Sequence, residues 1–231
     1  VPSDEMELGT ACHFAVWEPD MLPLRCVVWE GGQRRGKTWD AFEAANSNKI
    51  ILTENQFGVV LKVRDRCQSH AKICEVLNQR GKREVSMKWN QNGLKCRGRV
   101  DDLSTRINDL KTSYSITDRA IVKSVTDRFY HLQCGAYQMG YEAITGETIQ
   151  TALIFAQTKP PYDARVLIVD GDEIERGRKL WTRALEVIAE AESTGVYPGI
   201  DEDESPLILP EWALDNGEQL TLTLDGESIG M

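Results

Sequence analysis

The 231-residue sequence lacks any long apolar run, any close cysteine pair and any internal repeat. No stretch approaches the roughly 20 apolar residues needed to cross a bilayer, so a helical membrane anchor is not expected. The first residues carry no basic-then-apolar secretory leader. The chain also opens at Val1 without an initiator methionine, as a fragment or trimmed chain would. Six cysteines (Cys12, Cys26, Cys67, Cys74, Cys96 and Cys134) are scattered with no C-x-x-C spacing. They read as free thiols in a reducing compartment and point to the cytoplasm. Histidine is scarce, with only His13, His70 and His131.

What the chain does contain is enough apolar material for a core. Hydrophobic residues make up 41% and six are tryptophan, which excludes global disorder. The formal charge of −9 argues at first against a polyanionic partner, but its placement is uneven. Residues 201–231 hold nine acids and no base, and the other 200 residues balance at 27 of each sign. Between Val60 and Thr112, thirteen bases face six acids, a local charge of +7.

Apolar spacing at Leu8, Ala11, Cys12, Ala15 and Val16 predicts a helix up to Trp17, entered near Pro2-Ser3-Asp4. Leu24 to Glu30 reads as a short strand, and Gln33 to Lys49 as a loop with a turn or two of helix. Thr53-Glu54-Asn55-Gln56 is a capping box that opens a helix carried by Phe57, Val60, Cys67, Ala71, Cys74 and Leu77 to Gly81. Three strands follow: Arg83 to Trp89, Leu94 to Leu103 across an Asn92-Gly93 turn, and Arg106 to Thr112. The rest reads as a helix from Thr126 to Tyr141, strands at Ala152–Thr158 and Ala164–Val169, and a long helix from Asp172 to Ser193. That helix turns Ile174, Trp181, Leu185 and Ile188 inward and stops at Gly195. The expected architecture is a single α/β (α+β) domain with a central mixed sheet flanked by helices. The acidic tail ends in a strand over Gln219 to Leu224.

The chemistry concentrates on the third strand. Asp109 and Lys111, two residues apart, share a face about 7 Å apart along the chain. Asp101 on the preceding strand shares its face with Arg99. If those strands pair, two carboxylates and an ammonium converge, a set suited to Mg²⁺ or Mn²⁺ and to orienting a water. A D-x-K triplet equally fits an exposed salt-bridge ladder. Tyr130, Gln133, Tyr137 and Tyr141 form one stripe on the next helix, either a half-buried aromatic face or a hold on a phosphate or nucleophile. His13 follows Gly9 by one turn, and that glycine would let the first helix approach another backbone closely.

In this order, Gly9-x-x-x-His13, Gly98-Arg99-Val100-Asp101, Asp109-Leu110-Lys111-Thr112 and Gln133-x-x-x-Tyr137 resemble the RecB-like branch of the PD-(D/E)xK nucleases. The closer likeness is to phage and prophage nucleases of the RecE (exodeoxyribonuclease VIII) type. Gly9 to His13, Tyr130-His131-x-Gln133, Lys159-Pro160-Pro161-Tyr162 and Leu209-Pro210-Glu211-Trp212-Ala213 extend it over most of the chain. The resemblance implies a restriction-endonuclease-like core over residues 1–213 and an acidic tail over 214–231. It also implies that His13, Asp101, Asp109 and the Leu110 carbonyl bind Mg²⁺ or Mn²⁺ and that Lys111 positions the attacking water. Gln133 and Tyr137 would steady the site, with Tyr130 and Glu84 as second-tier members; Glu84 stands where related exonucleases can carry another acid. Asp109 occupies a position that is Glu in many relatives.

The activity so implied is metal-dependent 5′→3′ hydrolysis of linear double-stranded DNA from its ends. Lys95, Arg97 and Arg99 would track phosphates, and binding of this kind weakens steeply with salt. The family likeness further implies a ring-like trimer or tetramer, a RecT-like single-strand annealing partner and a phage- or prophage-encoded protein in a bacterial cytoplasm. Iron–sulfur nucleases of CRISPR adaptation share the motifs but place cysteines after the Gln-x-x-x-Tyr helix. No cysteine follows Cys134, so no iron–sulfur cluster is expected. A repair- or restriction-type endonuclease and an inert DNA-binding module of the same fold are the alternatives.

Overall fold

The computed structural model describes residues 3–79, 81–197 and 199, together with the backbone of 221–224 and 227–230. The chain divides into two units, Val1–Thr194 and Gly195–Met231. The first begins with α1 (Asp4–Trp17), whose N-cap is Ser3 accepting from the Met6 amide. A short 3₁₀ turn (Pro19–Met21) and α2 (Leu22–Arg25) lead into β1 (Cys26–Trp29). Next come α3 (Lys37–Ala45) and β2 (Ile50–Thr53), and β2 pairs parallel with β1. Short Ile50-Ile51-Leu52 was not foreseen as a strand; without alternation it carries no period to read.

The capping box at Thr53 and Gln56 is present, with both reciprocal hydrogen bonds. The helix it opens does not run unbroken to Gly81. It is two helices, α4 (Glu54–Ser69) and α5 (Ala71–Asn78), hinged at His70 with φ −78° and ψ 117°. The Ser69 hydroxyl donates to the Arg66 carbonyl, which also accepts from the His70 amide at the end of α4. In the same way, the helix expected from Thr126 is α6 (Asp118–Asp127) followed by α7 (Tyr130–Thr145). Phe129, left-handed at φ 53°, makes the break between them.

The central sheet has the order β3 (Lys82–Gln91), β4 (Leu94–Leu103), β5 (Ile107–Ser113), β6 (Thr151–Gln157) and β7 (Ala164–Val169). All neighbours are antiparallel except β5 and β6, so the sheet is mixed. Both faces of β6 are covered, and its residues from Thr151 to Ala156 are all buried. On one face, Leu110, Ile154 and Ala156 pack with Ala11, Cys12 and Ala15 of α1 and Val60, Val63 and Cys67 of α4. On the other, Val100, Ile107, Leu153 and Phe155 meet α6, α7 and α8 (Gly171–Thr194) through Ile121, Tyr137, Ile174 and Leu185. Ile188, expected to face inward, is 45% exposed, whereas Leu185 and Ala191 on either side of it are buried. Gly195 ends that helix at φ 71°.

Of the tail, Thr221–Leu224 is a strand paired antiparallel with Glu227–Gly230. The stretch Leu209 to Ala213 lies outside the described residues. Among the described residues no helix is long and apolar enough to cross a membrane.

Candidate active site

The site forms where β4 and β5 part. The two strands pair at only two positions, Leu103 with Ile107 and Asp102 with Asn108. Beyond these the ladder opens, and side chains take over the freed backbone groups. The Leu110 amide donates to Asp101 Oδ2 at 2.7 Å. On an extended strand a residue's N–H and C=O point the same way, so the Leu110 carbonyl also faces this opening. On the β4 side, the Arg99 carbonyl accepts from the Tyr137 hydroxyl at 2.7 Å.

The helix α1 brings His13 to this opening, and His13 Nδ1 lies 3.3 Å from Asp101 Oδ2. Gly9, one turn earlier, lies close to β5: a Cβ there would stand 3.3 Å from Thr112 Oγ1, a tight contact. Glu84 reaches the same place from β3. It is left-handed at φ 53°, a conformation that costs a non-glycine residue about 1–2 kcal/mol. Arg83 and Val85 on either side keep their partners on β4, whereas Glu84 opposite Asp101 makes no ladder pair. His13, Glu84 and Asp101 each offer a ligand atom within 4.8 Å of the others.

Deeper in, Asp109 is 3% exposed and pairs with Lys111, Oδ2 to Nζ at 2.5 Å. Lys111 also donates to Gln133 Oε1 at 2.8 Å and lies over the Tyr130 ring, 4.3 Å from its centroid. Gln133 Nε2 in turn donates to the Tyr137 hydroxyl at 2.8 Å. An ordered chain therefore runs from the Lys111 ammonium through Gln133 and Tyr137 to the Arg99 carbonyl, two residues before Asp101. Gly98 permits it, since a Cβ there would sit 2.9 Å from Tyr137 Cε1.

Burial dominates the electrostatics, and the neighbouring charges modify it. Burial, and then the charge of Asp101, push the Glu84 carboxyl above its ordinary range, against the pull of Arg99. Burial raises Asp109 to about 6 despite the neighbouring Lys111. Burial alone would lower His13, but the hydrogen bond and charge of Asp101 bring the net shift upward. Burial would likewise lower Lys111, and the charge of Asp109 reverses it, so the ammonium is held protonated. Two carboxylates that repel each other, with an imidazole beside them, are a donor set that a hard divalent cation relieves. Arg99 Nε already supplies positive charge there, 2.7 Å from Glu84 Oε2.

The sequence-derived residues thus divide into groups. His13, Asp101 and second-tier Glu84 form the donor cluster, while Asp109 pairs with Lys111 beside it. Gln133, Tyr137 and Tyr130 surround Lys111. Arg97 and Lys95 lie outside the cluster on the exposed face of the β3–β4 hairpin, opposite Lys88 and Asn90. The coupling of Glu84 to Arg99 was not foreseen, although the hairpin register contains the signal: with Gln91 opposite Leu94, Glu84 falls opposite Asp101.

Residues 2–203 match the family described as "PDDEXK-like domain of unknown function (DUF3799)". No curated protein matches the chain. Among solved structures, a crystal structure of a "putative exonuclease" from Eubacterium rectale is similar, with a TM-score of 0.57 at 18% sequence identity. The likeness covers 78% of this chain and 74% of that one. At that identity it is the fold that is shared.

Proposed function

The chain belongs to the PDDEXK-like domain family, and from that premise we propose that it is a divalent-metal-dependent deoxyribonuclease acting on the ends of linear double-stranded DNA. The observation that carries this reading is the triad of His13, Glu84 and Asp101, with ligand atoms within 4.8 Å of one another, beside a buried Asp109–Lys111 pair. Those residues, with Asp109 and the Leu110 carbonyl, would hold Mg²⁺ or Mn²⁺. The ion would polarise the scissile phosphate, lower the pKa of a water and offset charge on the leaving 3′ oxygen.

The chain's own groups do the rest. Lys111 is kept protonated and is therefore a donor, not a base. Gln133 accepts one of its three N–H bonds and Asp109 pairs with its charge, and a remaining N–H serves the attacking water or a phosphate oxygen. The water oxygen bonds to phosphorus as the P–O3′ bond breaks; one water proton ends on O3′ and the other on the new phosphate or in bulk water, leaving a 5′-phosphate and a 3′-hydroxyl. Gln133 and Tyr137 hold Lys111 in register with β4. Lys88, Lys95 and Arg97 line the hairpin face leading away from the triad and suit phosphate contacts, which carry no sequence information and favour degradation over site-specific cutting. The motif likeness extends the proposal to 5′→3′ polarity, a ring-like oligomer and hand-over of single strands to a RecT-like annealing protein.

End-labelled linear duplex and closed circular duplex, each with Mg²⁺ or with chelator, test the proposal. Expected is Mg²⁺-dependent digestion of the linear form alone, abolished by Asp101→Asn and by Lys111→Ala. Cutting of the circle would make the protein an endonuclease. Titration calorimetry with Mn²⁺ that shows no uptake dependent on Asp101 would make it an inert member of the fold.

A further inference from the structure

One motif, Lys159-Pro160-Pro161-Tyr162, has no part in the site described above. It forms the turn between β6 and β7, and it places two lysines over two tyrosines. Lys159 Nζ lies 5.4 Å from the centroid of the Tyr114 ring, and Lys62 Nζ of α4 lies 4.6 Å from that of Tyr162. Both lysines are exposed, and Tyr114 is 58% exposed.

The backbone beneath these rings is braced. Gln157 Nε2 donates to the Tyr114 carbonyl at 3.0 Å, and both the amide and the hydroxyl of Thr158 donate to the Ser113 carbonyl. The Tyr162 amide closes the turn on the Lys159 carbonyl at 2.8 Å, with Tyr162 itself left-handed at φ 60°. A bulky aromatic is an outlier in that region. Asp163 beside it is anchored by Arg66 of α4 at 2.7 Å and by the Ala164 amide.

We propose that Tyr114 and Tyr162, with Lys159 and Lys62, form a stacking platform for the unpaired bases of a single DNA strand at the candidate active site. The inference rests on the nuclease reading for its substrate and goes beyond it in assigning residues to the separated strand. Tyr114 follows Lys111 by three residues, about 10 Å along an extended chain. Aromatic rings paired with ammonium groups match an unpaired strand, which offers both a base face and a phosphate at each step. A duplex keeps its base faces internal and offers only phosphates and groove edges.

The test uses the full chain in chelator, where no cleavage intervenes, and fluorescence anisotropy with a labelled oligothymidylate and a labelled blunt duplex. Tyr114→Ala is expected to weaken oligothymidylate binding roughly five- to a hundred-fold, the range for one lost base stack. Tyr114→Phe should keep affinity within about two-fold of the parent, because it keeps the ring. Duplex affinity should change by less than about two-fold in both variants, and thermal melts should match the parent at this exposed position. Failure of the parent to bind the oligothymidylate overturns the proposal, as does equal binding by Tyr114→Ala or an equal loss for the duplex. Metal-dependent cleavage is measured separately: its absence, with Tyr114-dependent binding intact, sinks the nuclease reading and leaves the platform standing.

Discussion

Tyr137 donates its hydroxyl to the backbone carbonyl of Arg99 at 2.7 Å, joining α7 to β4 where β4 has left its partner strand. Without that bond the Arg99 carbonyl would lose its partner at the opening. The same hydroxyl accepts from Gln133, whose carbonyl holds Lys111. The position of the lysine is therefore tied to the strand that carries Asp101.

Removing the hydroxyl should expose this coupling. Tyr137→Phe retains the ring and is expected to cost about 1 kcal/mol in stability, the net worth of a typical hydrogen bond. Cleavage should fall by about an order of magnitude, as it would for any group that positions a reacting donor. Because Gln133 and Tyr137 are links of one chain, the two losses should not add. A cycle of Gln133→Ala, Tyr137→Phe and the double variant, read by denaturant unfolding and by rate, should give a coupling of at least about 0.5 kcal/mol.

Gly98 offers a way to disturb the site without touching a polar group. An alanine methyl there would meet the Tyr137 ring at 2.9 Å, so either the ring or β4 must shift. Gly98→Ala is expected to destabilise by about 1–3 kcal/mol, the usual cost of overpacking, and to lower cleavage with it. Unchanged activity at unchanged stability would mean that the Tyr137–Arg99 bond tolerates displacement.

The site was legible in the sequence where it depends on strand period and obscure where it depends on how strands part. Asp109 and Lys111 share a face by simple alternation, and their contact follows from it. Glu84 groups by alternation with Ser86 and Lys88 on a polar face, and only its left-handed backbone turns it into the triad. No spacing rule announces that conformation in a glutamate. In the fold, the mixed sheet and α1 were readable from apolar period. The breaks at His70 and Phe129 were not, because each rests on single-residue backbone angles inside an otherwise continuous helical pattern.

A pH effect is expected between α7 and α8. Hydrogen bonds from Arg178, at 2.8 Å, and then from Thr148 hold the Glu142 carboxyl below its ordinary value. A depressed folded pKa means that the unfolded chain binds the proton more tightly. The stabilisation is thus complete above the ordinary glutamate value of 4.5 and is lost as pH falls through the lower folded value. Glu142 is partly exposed, so the effect is screened and Glu142→Gln should cost no more than about 1 kcal/mol at pH 7. Urea unfolding of both proteins at pH 7 and pH 3 checks this: the gap should shrink in acid.

The hairpin face leading away from the triad should set the salt dependence of DNA binding. Arg97 stands opposite Lys88, Lys95 opposite Asn90, and all four are exposed. Arg99 is on the same face, but its guanidinium is engaged by Glu84 at 2.7 Å. Each phosphate contact made by a free base contributes about 0.9 to the slope of log affinity against log salt. Arg97→Ala and Lys95→Ala are each expected to reduce that slope by about one when duplex binding is measured in chelator from low to moderate salt. Arg99→Ala should reduce it by less, because its charge is already partly neutralised. If Arg97→Ala and Lys95→Ala leave the slope unchanged, the duplex does not run along this face.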